Sequence, residues 1–330
     1  MIPVFTRLAT ATRRIALAAA VVAAGLVPAT AADDLKVALI LPGPISDNDW
    51  NAGGYAGLMA AKDNLDIEVA YSENVADADA ERVMRDYASR GYGLVIAHSF
   101  SYGAATLATA EDYPEVMFLA GTAQELAENV GTYDNPDYQG AYLTGMLAAG
   151  ASESGKIGWV GGNPAPNMLA NYHAWKAGAE AVDPEITVML TWIGSWFDPP
   201  KTKEASIAQV EQGADVLSAQ AVGVIDAAVE KDVLAIGAVS DQNFLGPDVV
   251  LTSVLWDLGP VYTDVAKSVM EGTWESRAWT YGIKEGSIKL ADFHGLDSNV
   301  DPAVLAEVEE TMAAIKAGDF VVPHDTSMVE

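Results

Sequence analysis

With 330 residues, half of them apolar and 19% charged, the chain has apolar surface for a large core and more length than one typical domain uses, so two lobes are expected. A formal charge of −28 repels phosphate backbones and anionic membranes, which argues against a nucleic-acid polymer as partner. The lack of cysteine excludes disulfides, thiolate chemistry and a lipid-modified cysteine.

At the start of the chain Arg7, Arg13 and Arg14 precede the apolar run IALAAAVVAAGLV, which is followed by PATAA. This is the charged, apolar and small-residue order of a secretory signal, and cleavage is expected near Ala31 or Ala32. Residues 1–32 are then signal peptide, and the mature chain is expected in the periplasm, exported and not lipidated. Losing the three arginines takes the formal charge from −28 to −31.

From Leu35 onward short β-rich runs alternate with helical stretches, the pattern of parallel-sheet crossovers. The run KVALILP (36–42) predicts a strand, followed by a helix over 51–65, a strand in IEVAYSE and a helix over 77–90. LVIAHS (94–99), a helix over 104–112 and VMFLAG (116–121) complete a first series. TYDNPDYQG reads as a polar loop. A second series begins with the helix GAYLTGMLAAGA and continues through KIGWVGG (156–162), a helix over 169–181, ITVMLTWIG (186–194) and a helix over 201–212. AQAVGVIDAAVEK, LAIGAVS (234–240), VVLTSVLW (249–256) and a helix over 259–271 follow. SIKLADFHG and a helix over 301–317 close the chain. The strands are nearly continuous apolar runs, as expected when helices cover both faces. The expected fold class is α/β.

Ligands of open α/β sheets sit beyond the carboxyl ends of the strands. After the first strand stand Asp47, Asn48, Asp49, Trp50 and Asn51; after the third, His98, Ser99, Phe100 and Tyr102. In the second series come Asn163 and Asn167, then Ser195, Trp196, Phe197 and Asp198, then Ser240, Asp241, Gln242 and Asn243, and finally Trp256. Rings from opposite lobes suit a planar ligand whose polar edge is met by Asp and Asn. Plainer roles compete. Trp50 alone is a lobe-packing residue as readily as a platform, and His98 a satisfied buried imidazole. Asp47 and Asp198 sit where helix caps are expected. The four histidines lack metal spacing, GWVGGNPAPN is neither a Walker loop nor G-x-G-x-x-G, and no G-x-S-x-G elbow occurs. Neither an enzyme nor a metal or cofactor is expected.

Four motifs then stand in order: SDNDWN, QGAYLTGMLAAGASESGKIGWVGG, GSWFDPPKTKEA, and SDQ followed by LTSV. Together they resemble the basic membrane protein family of bacterial solute-binding proteins, which includes the purine nucleoside receptors of ABC importers. The resemblance covers nearly all of the mature chain. It implies a type I periplasmic-binding-protein fold, two Rossmann-like lobes joined by hinge strands. Their expected extents are 33–136 with about 255–284, and 137–254 with about 285–330. It puts Trp50 and Trp196 at the aromatic positions that clamp a purine-like ring, and it implies an ABC permease in the inner membrane as partner. The candidate ligand-binding set is Asp47, Trp50, Asn51, His98, Phe100, Asn167, Trp196, Phe197, Asp241 and Trp256. Departures from the family pattern shape the ligand. Trp256 stands where nucleoside-binding members carry a Lys, Val239 where they carry an acid, and His98 and Tyr102 occupy the loop that otherwise supplies an Asp. Ribose hydroxyls would lack partners there, so a free nucleobase or similar planar heterocycle is expected. The alternatives are a nucleoside receptor of the same fold, an exported nucleoside hydrolase using Asp47, Asp49 or Asp241, and a sensor partner of a membrane receptor.

Overall fold

The computed structural model describes residue 1 and residues 35–47, 50–195 and 198–329. Apart from Met1 the expected signal segment lies outside the described residues, and no helix among those described is long and apolar enough to cross a membrane.

The first series folds as β1 (Lys36–Ile40), α1 (Trp50–Leu65), β2 (Glu68–Ser72), α2 (Asp77–Ser89), β3 (Leu94–Ala97), α3 (Gly103–Asp112), β4 (Met117–Gly121) and β5 (Val130–Asp134). The second follows as α4 (Tyr138–Ala151), β6 (Lys156–Gly161), α5 (Pro166–Val182), β7 (Thr187–Trp192), α6 (Pro199–Glu211), β8 (Val216–Ser218), α7 (Val224–Lys231), β9 (Leu234–Val239) and β10 (Val250–Trp256). The chain then adds α8 (Gly259–Met270), β11 (Ala278–Thr280), β12 (Ile288–Leu290) and α9 (Pro302–Ala317).

Two six-stranded sheets result, ordered β11-β5-β4-β3-β1-β2 and β12-β10-β9-β8-β6-β7. Strand for strand the orders correspond, with β5 matching β10 and β4 matching β9. The pairings are parallel except that β12 runs antiparallel to β10. Period-two alternation feeds a separate core on each side of a sheet. In β1, Val37 and Leu39 meet α1 and α8, whereas Ala38 and Ile40 meet the layer of α2 and α3. In the second sheet Ile157 and Trp159 meet α4, α5 and α9, and Val160 meets the opposite layer of α6 and α7.

β5 includes the first residues of the expected TYDNPDYQG loop, and β8 and β11 fall where no strand was expected. Both are three residues long, too short for alternation to show. β5 contains Gly131, which a sequence reading discounts in a strand. There the gap is filled, since an added Cβ would meet Trp274 and Trp279 at 3.1 and 3.2 Å.

Three crossings join the sheets, at 134–138, 257–258 and 281–287, and they are bonded to one another. Asp257 N donates to Ser287 O at 2.7 Å, Ile283 N to Gln139 Oε1 at 2.9 Å, and Tyr281 N to Asp134 O at 3.2 Å. Beside them α4 and α5 touch backbone to backbone. A Cβ on Gly145 would lie 2.0 Å from the Trp175 carbonyl oxygen, and one on Gly178 1.9 Å from that of Tyr142. Neither neighbour can rotate away, because both are main chain. Gly178→Ala is therefore expected to cost about 2 kcal/mol or more, the upper part of the range for overpacking. Urea unfolding of the purified variant checks this; an unchanged midpoint would show that the helices separate without strain.

Candidate functional site

The site begins with the cap of α1. Asp47 accepts from the backbone N–H groups of Asn51 (3.0 Å) and Ala52 (2.9 Å), satisfying donors that the first turn leaves open. It also accepts from Asn51 Nδ2 at 2.6 Å, and Asn51 Oδ1 receives the N–H of Gly43 at 3.0 Å. This arrangement sets Trp50, the first residue of α1, beside the carboxyl end of β3.

There the indole lies on His98, ring centroids 4.1 Å apart and planes within 18°. Trp50 Nε1 donates to the His98 carbonyl at 3.0 Å, and His98 Nε2 donates to the Trp50 carbonyl at 2.8 Å. Donation from Nε2 leaves Nδ1 as the acceptor, and it receives the Tyr133 hydroxyl. Tyr262 donates in turn to Tyr133 at 2.9 Å and lies 2.9 Å from Nδ1. Burial lowers His98 from 6.5 to about 4, opposed by its bond to the Trp50 carbonyl, so the ring is neutral at physiological pH. Burial also pushes both tyrosine hydroxyls well above their ordinary range and keeps them protonated donors.

The packing tolerates no extra atom. A Cβ on Gly54 would stand 2.6 Å from His98 Nε2, one on Gly57 2.7 Å from Leu258 Cβ, and one on Gly121 2.6 Å from the Tyr133 hydroxyl. The NAGGYAG stretch after Trp50 thus lets α1 settle onto His98 and α8. Trp256, the last residue of β10 in the other sheet, meets Trp50 edge to face at 5.8 Å. Both indoles are half-buried.

The other expected residues are distributed as follows. His98 is fully buried with both nitrogens engaged by protein atoms, so it supports Trp50 from behind. Tyr102 is also buried and donates to the Val75 carbonyl at 2.5 Å. Phe100 is exposed on the loop after β3, and Asn167 is exposed in the first turn of α5. Asp241 pairs with His294 Nε2 at 2.9 Å and accepts from Asn243 N at 3.1 Å. Trp196, Phe197, Asn48 and Asp49 lie outside the described residues. The SDQ and LTSV motifs meet around one glycine: Gln242 N donates to Ser253 Oγ and Ala238 N to Gln242 Oε1, each at 3.1 Å, leaving no room for a Cβ on Gly237. Nothing in the sequence singled out Tyr133, Tyr262 or His294, because their partners are remote in the chain.

Two β-branched residues mark matching strand ends. Thr122, just past β4, has φ +54°, and Val239, the last residue of β9, has φ +68°. A β-branched residue in the left-handed region costs roughly 1–3 kcal/mol, a strain that collects at functional sites.

The family model for PnrA-like ABC transporter substrate-binding proteins (Bmp) matches residues 34–317. The chain belongs to that family. It is 35% identical to a purine-binding protein of Brucella abortus, over 88% of this chain and 84% of that one. It is 30% identical to a putative ABC transporter glucose-binding protein of Haloferax volcanii, over 86% of this chain and 71% of that one. Among solved structures, an ABC transporter solute-binding protein of Conexibacter woesei is similar with TM-score 0.77 and 27% identity, covering 88% of this chain and 99% of that one. The fold of this Bmp-family protein is that of type I periplasmic binding proteins. Its family is one of ABC transporter substrate-binding proteins, not enzymes, and such proteins bind small molecules and ABC permeases.

At the first crossing of this Bmp-family protein, Asp137 accepts from Asn171 Nδ2 at 2.7 Å, and burial raises its carboxyl from 3.8 to about 7. The folded protein therefore holds a proton that the unfolded chain releases near pH 4. The cost of ionising Asp137 is absent below about pH 4 and complete above about pH 7. Asp137→Asn keeps an acceptor for Asn171 and removes that cost. Its melting temperature should exceed the wild-type value at pH 8, with the difference shrinking towards zero by pH 4. A pH-independent difference in calorimetry would contradict this.

Proposed function

We propose that this protein is the periplasmic receptor of an ABC importer for a free purine-like nucleobase, held by stacking on Trp50. The observation that carries the reading is the placing of that indole. It is seated flat on a buried neutral imidazole, tied through its Nε1, half-buried at the carboxyl end of the first sheet, and in edge contact with Trp256 of the second. A ring fixed in this way loses little freedom when a flat ligand covers it, which favours affinity. Trp196, from the GSWFDPP motif, is the second platform in this reading. Lobe 1 (33–136 with about 255–284) closes against lobe 2 (137–254 with about 285–330), and the closed form is presented to the permease. The purine-binding relative from Brucella abortus supports the ligand class. Trp256 and Val239, at the positions that hold ribose in nucleoside-binding members, favour base over nucleoside, because buried hydroxyls without partners are penalised.

Stacking contributes on the order of 1–3 kcal/mol per base. Trp50→Ala should therefore weaken base binding by about fivefold to 150-fold by isothermal titration calorimetry, and near-native affinity in that variant would remove stacking from the account. A thermal-shift screen of the mature chain against free bases, nucleosides and sugars tests the ligand class. Free bases are expected to stabilise and their nucleosides to be inert; stabilisation by glucose or by nucleosides alone would reject the base assignment.

A further inference from the structure

Behind Trp50 stands one hydroxyl more than the imidazole needs. His98 Nδ1 accepts one hydrogen bond, yet the Tyr133 and Tyr262 hydroxyls are both within reach of it. The three atoms form a closed triangle in which the Tyr262 hydroxyl lies 2.9 Å from each of the other two. A hydroxyl proton turns to whichever acceptor suits it. Tyr262 is thus placed to donate to Tyr133, or directly to Nδ1 without moving its oxygen. All three side chains are buried. A phenylalanine at 262 would fill the same space and bury no hydroxyl, so packing alone does not account for the second donor.

The two tyrosines also stand at the roots of the crossings. Tyr133 is the next-to-last residue of β5, which runs into the first crossing, and it pairs in register with Trp279 of β11, which runs into the third. Tyr262 lies in the first turn of α8, just after the second crossing, with its N–H bonded to Leu258 O at 3.0 Å. We infer that Tyr133 and Tyr262 are positioning residues for ligand capture, two interchangeable donors that fix the imidazole, and with it the stacking face of Trp50, to the elements that carry the crossings. The inference rests on the stacking reading above and adds to it what holds the platform. Both hydroxyls lie behind the imidazole. Their effect passes through the ring stacked on the indole and through His98 Nε2 to the Trp50 carbonyl. A platform already held in its binding pose loses less freedom when the ligand arrives.

The test compares the mature chain with Tyr133→Phe, Tyr262→Phe and the double variant. Tyr87→Phe is the control, because Tyr87 is another buried tyrosine, whose hydroxyl meets Ser72 Oγ at 2.8 Å in the α2 layer. Adenine, guanine and hypoxanthine are titrated calorimetrically, and hydrogen exchange of the Trp50 indole N–H is followed by NMR without ligand. Each single variant is expected to bind within about threefold of wild type, since the remaining hydroxyl serves Nδ1, whereas the double variant loses about tenfold or more in affinity. Its indole proton should exchange faster by about tenfold or more, and Tyr87→Phe should change neither reading. Gly54→Ala presses a methyl group against His98 Nε2 while keeping both hydroxyls. It should reproduce the double variant, and it decides the question if the double variant does not fold. Wild-type affinity and indole exchange in the double variant overturn the positioning role and leave stacking in place. Lost affinity with unmoved indole exchange also overturns it, because the loss then bypasses the platform; so does faster exchange with affinity intact. If the wild type binds none of the three bases, the base reading fails, and the indole exchange alone decides the positioning role, unmoved values overturning it.

Discussion

The hydrogen bond that Tyr133 gives to His98 exists only while Nδ1 of the imidazole carries no proton. Protonation would set an N–H against that hydroxyl and strand a charge in a fully buried position. Burial keeps the ring neutral, the tyrosines fix the tautomer, and the tautomer aims Nε2 at the Trp50 carbonyl. Trp50 is the first residue of α1, so this buried proton position, together with the Asp47 cap, fixes how its indole lies. The glycines follow from the same requirement. Gly54 and Gly57 let α1 lie against His98 and α8, and Gly121 clears space for the Tyr133 hydroxyl. A network this dense rigidifies because each member is satisfied by another.

Much of the fold was legible because each strand is covered on both faces and reads as an unbroken apolar run, such as VALI in β1 or LVIA in β3. β8 and β11 were not, since three residues carry no periodicity, and β5 was masked by its glycine and polar neighbours. What fills the gap at Gly131 is Trp274 and Trp279, well over a hundred residues away in the chain. Placement of the site came from the strand-end rule, which brought Trp50, His98 and Trp256 to one region. The division of labour within it was harder to read. Short polar residues at strand ends serve a ligand or their own backbone equally well. Asp47 caps α1, and Gln242 with Ser253 braces the turn after β9, duties that only coordinates reveal. His98 shows the same ambiguity, a polar side chain in a loop whose partners come from β5 and α8.

The matching strand orders of the two sheets give the deviations at their ends a meaning. Thr122 and Val239 take left-handed backbone at corresponding places, although neither is a glycine, so both strand ends carry strain that a glycine would relieve. Strain that recurs at the carboxyl ends of both β4 and β9 is a property of this two-sheet design and not an accident of one loop.

The neighbouring corners diverge instead of matching. Past β5 stands an amide with no partner, and at the end of β10 an indole meeting Trp50 edge-on. Two sheets built alike would be expected to end alike if packing were the only demand, since a satisfied apolar residue costs least at either corner. Under the base-binding proposal a flat guest would make a different demand, because its faces are apolar and its rim is polar, so the surfaces around it would not be equivalent. The crossings that carry these corners are bonded to each other through Asp257 and Ser287 and through Gln139 and Ile283, which holds the polar and aromatic corners in fixed relation to each other.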